Sequence, residues 1–418
     1  MQQAILYEKH DENIVKCLLC SHYCEIKPGQ VGTCLLRKNI DGELFTYSYG
    51  ASTGFAIDPI EKKPFYHFKP GSKVLSFGTP GCNFKCLNCQ NWQMSHAKKD
   101  DILRQAHVLR QAQDDILRQA QDDNAIENLH IEYSPSFIAD LAIEQGVDGI
   151  AYTYSEPTIF FEYARDTILE CRKKYPNVDL FHLFISNGFM SKETIDLIAK
   201  ENLISAINID LKFMNDKKYR KICNSSLQPV LDNIKRFQDL SDSIHMEIIN
   251  LVIPEENDSV DDINALVDFI VSVNPEIPLH FSRFHPSNKM TDKPATDLNT
   301  LLKAKEIAES KGLKYVYIGN TNLPGVENTY CPNCKKLLIE RSRYSTKVKK
   351  SLGKILRQAH VLRQAQDDIV NGRRIMDNGQ FTDSREPKTD NGKQGFKAQL
   401  SAKNGICLNC EHNINIRL

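Results

Sequence analysis

Seven short runs rich in β-branched and aromatic residues punctuate the chain: KVLSFGT (73–79), GIAYTYS (149–155), FHLFISNG (181–188), AINIDLK (206–212), HMEIINLVIP (245–254), PLHFSRFHP (278–286) and KYVYIGN (314–320). Helical segments such as SKETIDLIAKEN and DDINALVDFIVSV lie between them. Strands alternating with helices over such a span predict a parallel sheet built from βα units. Six or seven units suggest a barrel, complete or not, and a doubly wound open sheet would give much the same pattern. In either architecture ligands sit at the C-terminal ends of the strands.

The 418 residues suffice for one large domain of α/β-barrel size with smaller attachments, or for two to three ordinary domains. Lysine plus arginine equal aspartate plus glutamate at 53 each, so no global field selects nucleic acid or an anionic membrane. The N-terminal MQQAILYEKHDENIVK lacks an apolar signal core and no apolar run reaches membrane length, so the expectation is a soluble cytoplasmic protein. The cytosol keeps thiols reduced. Of 13 cysteines, all but Cys171 and Cys223 fall into three tight clusters, which speaks for metal rather than disulfides. The two outliers read as small apolar core residues.

The run ILRQAHVLRQAQDDI occurs at 102–116 and again, letter for letter, at 355–369, with a further LRQAQDD at 117–123. One segment cannot be shaped to two different cores, so residues 98–125 and 354–400 read as surface insertions. Exposed padding is the simpler account of them; a coiled-coil tether of two or three short units would be marginal alone.

The stretch GTPGCNFKCLNCQNW (78–92) sets Cys82, Cys86 and Cys89 at C-x3-C-x2-C directly after the first run. A cubane iron–sulfur cluster normally takes four thiolates. Three leave one iron open for a substrate or cofactor, the logic that separates a catalytic metal site from a closed structural one.

This loop resembles the radical S-adenosylmethionine (SAM) superfamily, and its surroundings resemble the pyruvate formate-lyase-activating-enzyme branch. The segments EKKPFYHFKPGSKVLSFGTPGCNFKCLNCQNW, AYTYSEPTIFFEYA, SRFHPSNKMTDKPAT, YVYIGN and ENTYCPNC are similar, in order, to the AmmeMemoRadiSam-system radical SAM enzymes. The resemblance implies a partial (β/α)6 TIM-type barrel over 71–325, an N-terminal Cys-rich module over 1–70 and a C-terminal zinc-ribbon-like module over 326–418. It implies a [4Fe-4S] cluster on Cys82, Cys86 and Cys89 that reductively cleaves SAM to methionine and a 5′-deoxyadenosyl radical, which abstracts a hydrogen atom.

The resemblance also places the SAM contacts. YSEP (154–157) stands where the family has a G-G-E-P-like turn, which assigns Glu156 and the adjoining backbone to the methionine amino group. Asn187, Asp210, Lys212 and His285 follow from the ends of later strands. Against this stand two structural readings: an ion pair for Asp210 and Lys212, the less favoured account of them, and a core histidine for His285. Two residues depart from the family: Asn88 replaces an aromatic residue that packs on adenine, and Glu255 stands where a glycine is expected, altering a turn near the SAM ribose.

CPNC (Cys331, Cys334) and CLNC (Cys407, Cys410) form two C-x2-C knuckles with the second insertion between them. Deleting that insertion leaves a hairpin pair suited to one structural zinc; a rubredoxin-like iron and an unmetallated site are the rivals. Cys17, Cys20, Cys24 and Cys34 could close a further zinc site, hold a second iron–sulfur centre or act as redox thiols. Expected partners are a flavodoxin- or ferredoxin-type electron donor and a target: a glycyl residue of a partner protein, or something made with Memo-like and AMMECR-like proteins. A non-catalytic iron–sulfur or zinc electron-transfer or scaffold protein is the alternative. RNA ranks last, because the knuckles lack an aromatic and basic stacking face.

Overall fold

A computed structural model describes residues 1–96, 133–342, 345–349, 404–410 and 412–417, so both repeat insertions lie outside the described residues. Eight strands form the main sheet: β1 (Phe55–Pro59), β2 (Lys73–Phe77), β3 (Gly149–Tyr152), β4 (Phe181–Ser186), β5 (Ala206–Asp210), β6 (His245–Val252), β7 (Leu279–Arg283) and β8 (Val316–Gly319). They lie side by side in chain order, β2 to β8 all parallel and β1 antiparallel to β2. A doubly wound sheet would reverse its strand order partway. The sequential order, with β1 and β8 unpaired to each other, is that of an incomplete barrel.

Each of β2 to β7 is followed by a helix before the next strand: Pro135–Glu144, Phe161–Lys174, Lys192–Lys200, Gln228–Asp239, Val260–Val273 and Leu298–Ser310. That is six βα units and a closing seventh parallel strand. Four of these helices open on a side-chain cap, Ser134, Ser191, Ser259 and Asp297 accepting from backbone N–H groups of the first turn. The helix Val260–Val273 buries Ile263, Leu266, Val267 and Ile270, one stripe at helical spacing. Each such side chain contributes about 1.5–3 kcal/mol on burial.

The segment from Ile60 to Phe68, leaving β1, crosses the N-terminal end of the sheet to reach strands far from β1. Pro64 O accepts from Asn208 Nδ2 of β5 at 2.7 Å, and the backbone N–H groups of Tyr66 and His67 reach the Glu247 carboxylate of β6 at 2.8–3.1 Å. His67 Nε2 accepts from Tyr317 Oη of β8 at 2.6 Å. The segment therefore floors the barrel between its two unpaired edges. It also shows that the barrel draws on residues before 71, since β1 and this floor belong to it.

Two small antiparallel sheets occupy the N-terminus, Gln2–Gln3 with Glu43–Thr46 and Arg37–Ile40, and Tyr7–Lys9 with Val15–Cys17 and Glu25–Ile26. They dock on the barrel through a buried ion pair between Arg37 and Glu162 and through Ser191 Oγ donating to Leu18 O at 2.6 Å. The C-terminal strands are Thr329–Tyr330, Leu337–Ser342, Ser345–Val348, Asn404–Ile406 and Asn413–Arg417; Leu338 and Ile339 of the second and Ile414 and Ile416 of the last pack with Tyr66, Tyr315 and Tyr317 in a second apolar cluster. No helix among the described residues is long and apolar enough to cross a membrane.

Candidate active site

A cavity of about 530 Å³ opens at the C-terminal ends of the strands and runs into the barrel. Such a volume suits a small molecule or cofactor, whose pockets span about 300–1,000 Å³. The three-cysteine loop leaves β2 at Gly78, where a Cβ would stand only 2.2 Å from Thr153 O. Only glycine allows that approach between the loop and the end of β3. Lys85 N and Leu87 N then donate to Cys223 O and Ile222 O at 3.0 and 2.9 Å, while Asn288 Nδ2 and Ser287 Oγ donate to Cys86 O and Cys89 O at 3.1 and 3.3 Å. Held from both sides, the loop sets Cys82, Cys86 and Cys89 on the cavity wall.

The thiols differ. Burial pushes Cys82 and Cys89 up, and the Glu156 and Cys86 charges push Cys82 further. Cys86 goes down, because the Cys223 thiol donates to it, against its burial and with help from the Lys212 ammonium. One buried and two half-buried thiols on a single loop, with one nearby ammonium, form a donor set that a cationic cluster would complete.

Of the SAM contacts expected from the sequence, Glu156, Asn187, Asp210 and Lys212 all line this cavity. Glu156 is buried and already engaged: Oε1 accepts from Thr158 N, Thr158 Oγ1 and Ser186 Oγ, and Oε2 from Asn187 N at 2.7 Å. It ties the ends of β3 and β4 together, and Oε2 retains room for one more donor. Burial nonetheless pushes its carboxyl up, against those hydrogen bonds. Asn187 Nδ2 donates to Asn83 Oδ1 at 2.7 Å, bracing the cysteine loop. Lys212 Nζ meets Asp210 Oδ2 at 2.9 Å. Burial alone would lower Lys212, but the neighbouring Asp210 and cysteine sulfurs outweigh it and hold the ammonium charged. His285, two residues beyond β7 and half-buried, is not among the cavity-lining residues. The histidine of that strand on the wall is His280.

The departures have local accounts. Asn88 lines the cavity, 8 % exposed, and its Oδ1 has no partner among the described residues, so a polar acceptor replaces the expected aromatic surface. Glu255 adopts a left-handed conformation (φ +67°), the region that favours glycine, and pairs outward with Lys293 at 3.0 Å. Tyr154 likewise adopts φ +68° in the YSEP turn, at a cost of about 1–3 kcal/mol. Its hydroxyl donates to Asp58 Oδ2 at 3.0 Å and the Lys63 ammonium sits 4.5 Å from its ring centroid. These partners come from β1 and the floor, which sequence reading missed; the quoted segment EKKPFYHF was the available signal.

In the C-terminal module the ligand atoms of Cys331, Cys334, Cys407 and Cys410 all lie within 4.8 Å of one another. Cys331 Sγ stands 3.6 Å from Cys410 Sγ, and Cys334 Sγ 3.6 Å from Cys407 Sγ. Tetrahedral zinc with bonds of about 2.3 Å holds its sulfurs about 3.8 Å apart. The Lys336 backbone N–H brings Cys334 down to about 6, whereas burial pushes Cys331 up to about 12. Purified protein should carry about one zinc per chain, and Cys407→Ser should remove it, as metal analysis would read. Zinc retained by that variant would place it elsewhere. In the N-terminal group Cys17 Sγ accepts from Arg37 Nη1 at 3.4 Å, and burial pushes Cys20 and Cys34 up, with Cys17 adding to both. All thirteen cysteines are free of disulfides.

An incomplete parallel barrel whose strand ends carry a three-cysteine loop beside a polar cavity is the arrangement of an enzyme that binds an open-site cluster with an organic cofactor. Residues 77–270 match the model of the radical SAM superfamily. An uncharacterized protein of Methanocaldococcus jannaschii is 40% identical over 349 residues, covering 83% of this chain and 94% of that protein. The chain belongs to the radical SAM superfamily, whose members use a [4Fe-4S] cluster and SAM. Similar solved structures include a domain of pyruvate-formate lyase-activating enzyme from Bacteroides vulgatus (20% identity, 41% of this chain and 99% of that one, TM-score 0.35). Another is a radical SAM methyltransferase from Sphaerobacter thermophilus (14% identity, 65% and 71%, TM-score 0.44).

Proposed function

We propose that this protein generates a 5′-deoxyadenosyl radical at the three-cysteine loop and delivers it to a target bound in the same cavity, as an enzyme akin to the activating-enzyme branch and the AmmeMemoRadiSam system. The observation that carries the reading is one cavity lined at once by Cys82, Cys86 and Cys89, by the Asp210–Lys212 pair and by the YSEP turn. A cluster and SAM bound there would supply one-electron cleavage of the sulfonium and hydrogen-atom abstraction. The chain's own part is positional. Cys82, Cys86 and Cys89 would hold the cluster; Glu156 Oε2 and the backbone beside it offer acceptors to an ammonium; Lys212 offers a donor and Asp210 an acceptor to polar groups of the ligand. The unpartnered Asn88 Oδ1 fits an N–H donor such as an adenine amine. His285 stays outside this set.

The finer assignments belong to the same reading: a flavodoxin- or ferredoxin-type reductant in the cytoplasm, a structural zinc in the C-terminal module, and metal at Cys17, Cys20, Cys24 and Cys34. A glycyl residue of a partner protein is one candidate target. A scaffold or electron-transfer protein has no need of the polar cavity. The test is anaerobic: protein reconstituted with iron and sulfide, then given dithionite and SAM, should form 5′-deoxyadenosine and methionine in equal amounts. A fully reconstituted cluster that leaves SAM intact, with and without a cell extract as a source of target, would sink the proposal.

A further inference from the structure

The cavity has a second end, away from the cysteine loop, walled by Glu61, Tyr66, His280, Ser282, Asn320 and Glu327. These come from the floor segment, from β7 and from the chain beyond β8. The charged groups that their hydrogen bonds leave for a ligand are acceptors, two carboxylates beside the neutral Ser282 hydroxyl and the Asn320 amide. Glu61 is 5 % exposed; Oε1 accepts from Gly71 N at 2.8 Å and Thr346 Oγ1 at 2.6 Å, and Oε2 is buried with no partner among the described residues. A buried carboxylate oxygen without a donor is costly, and Glu61 is one of the residues that line the cavity. Glu327 is a second carboxylate on the wall and accepts from Tyr66 Oη at 2.9 Å. Asn320 gives one amide N–H to Arg283 O at 2.8 Å, which leaves its Oδ1 and a second N–H.

Arg341 gives Nη1 to Glu327 O and Thr329 Oγ1 and Nη2 to Tyr66 O; its Nε has no hydrogen-bond partner among the described residues and stands 3.8 Å from Glu61 Oε1 in a buried ion pair, too long for a hydrogen bond. Lys62 and Lys63 each pair with Asp58 at 2.7 Å, and the His280 ring donates to Glu247. A neutral hydroxyl or a single peptide N–H would use little of this wall, whereas a cationic nitrogen group with several donors would meet two carboxylates together.

We infer that this end of the cavity binds the target of the radical through an ammonium or guanidinium group, with Glu61 and Glu327 as its acceptors. The inference rests on the reading of the cavity as the site of SAM cleavage. Free amines and basic side chains of a protein share this chemistry, and the experiment separates them.

The reconstituted protein with SAM, without reductant, is titrated by saturation-transfer NMR with n-butylguanidine, n-butylamine, the neutral isostere n-butylurea, and arginine blocked at both termini. The charged probes should bind at least about tenfold more tightly than butylurea, a difference of about 1.4 kcal/mol. Glu61→Gln should erase that preference, and Glu327→Gln should reduce it in its own right should the first variant fold poorly. Binding of blocked arginine would assign the group to a protein side chain, and its exclusion while butylguanidine binds would assign it to a small molecule. Equal binding of butylurea and butylguanidine, or an undiminished preference in both folded variants, overturns the inference. SAM cleavage is scored separately on the unsubstituted protein. Cleavage without cation preference removes this inference alone, and cation preference without cleavage keeps the cationic site while removing the radical reading.

Discussion

Cys86→Ala should lower 5′-deoxyadenosine formation at least about a thousandfold, a loss of about 4 kcal/mol in transition-state stabilisation. Cys86 is the thiol pulled down rather than up, by donation from Cys223 and by the charge of Lys212, so it is the first of the three suited to ligate as thiolate. Its carbonyl is fixed by Asn288 and its neighbours Lys85 and Leu87 are strapped to Cys223 and Ile222, so the loop holds its course when only the sulfur is removed. With two thiolates left, a cubane loses an attachment point beside the open iron. Iron and sulfide content after reconstitution should fall with the activity, while the zinc proposed at Cys331, Cys334, Cys407 and Cys410 should stay. More than about a tenth of the activity retained in the variant would mean that Cys86 is no ligand.

Local chemistry made most of the barrel legible. The seven runs enclose β2 to β8, with ends trimmed by a few residues, because a βα unit is specified by neighbours in sequence. β1 escaped notice: FAIDP is short, ends in proline and sits at an edge, where strand signals are weakest. The cysteine loop was equally plain, since three cysteines within eight residues need no long-range information. What stayed hidden depends on contacts across the chain. Glu61 and Tyr66 reach the cavity only because the floor segment crosses beneath strands about two hundred residues later in the sequence. His285 drew attention by its place in a motif, yet β7 turns His280 and Ser282, alternate residues, to the cavity. Cys223 read as core, and it is buried; its second role beside Cys86 follows from the turn Tyr219–Cys223 folding against the loop.

Glu247 should be the residue whose loss costs the fold most. Its carboxylate, fully buried on β6, accepts from His245 Nε2 at 3.0 Å and His280 Nε2 at 2.7 Å, and from the backbone N–H groups of Tyr66 and His67. A carboxylate only accepts, so both rings carry hydrogen on Nε2. Glu247→Ala would strand four buried donors and open a void, which predicts a loss of about 3–5 kcal/mol, a large part of the about 5–15 kcal/mol that keeps a domain folded. Glu247→Gln, which keeps one acceptor oxygen and the volume, should cost less. Burial alone would push the Glu247 carboxyl up, but the two imidazole donors outweigh it and hold it well below the usual carboxylate range. Stability from this group is therefore complete above the unfolded carboxylate value of about 4.3 and is lost as the pH falls from there through the depressed folded value. Urea unfolding under anaerobic conditions at several pH values would read both effects. The unsubstituted protein should weaken on that acid limb more steeply than Glu247→Gln. A cost below about 1 kcal/mol for Glu247→Ala at neutral pH would show that the floor segment is held by its apolar contacts instead.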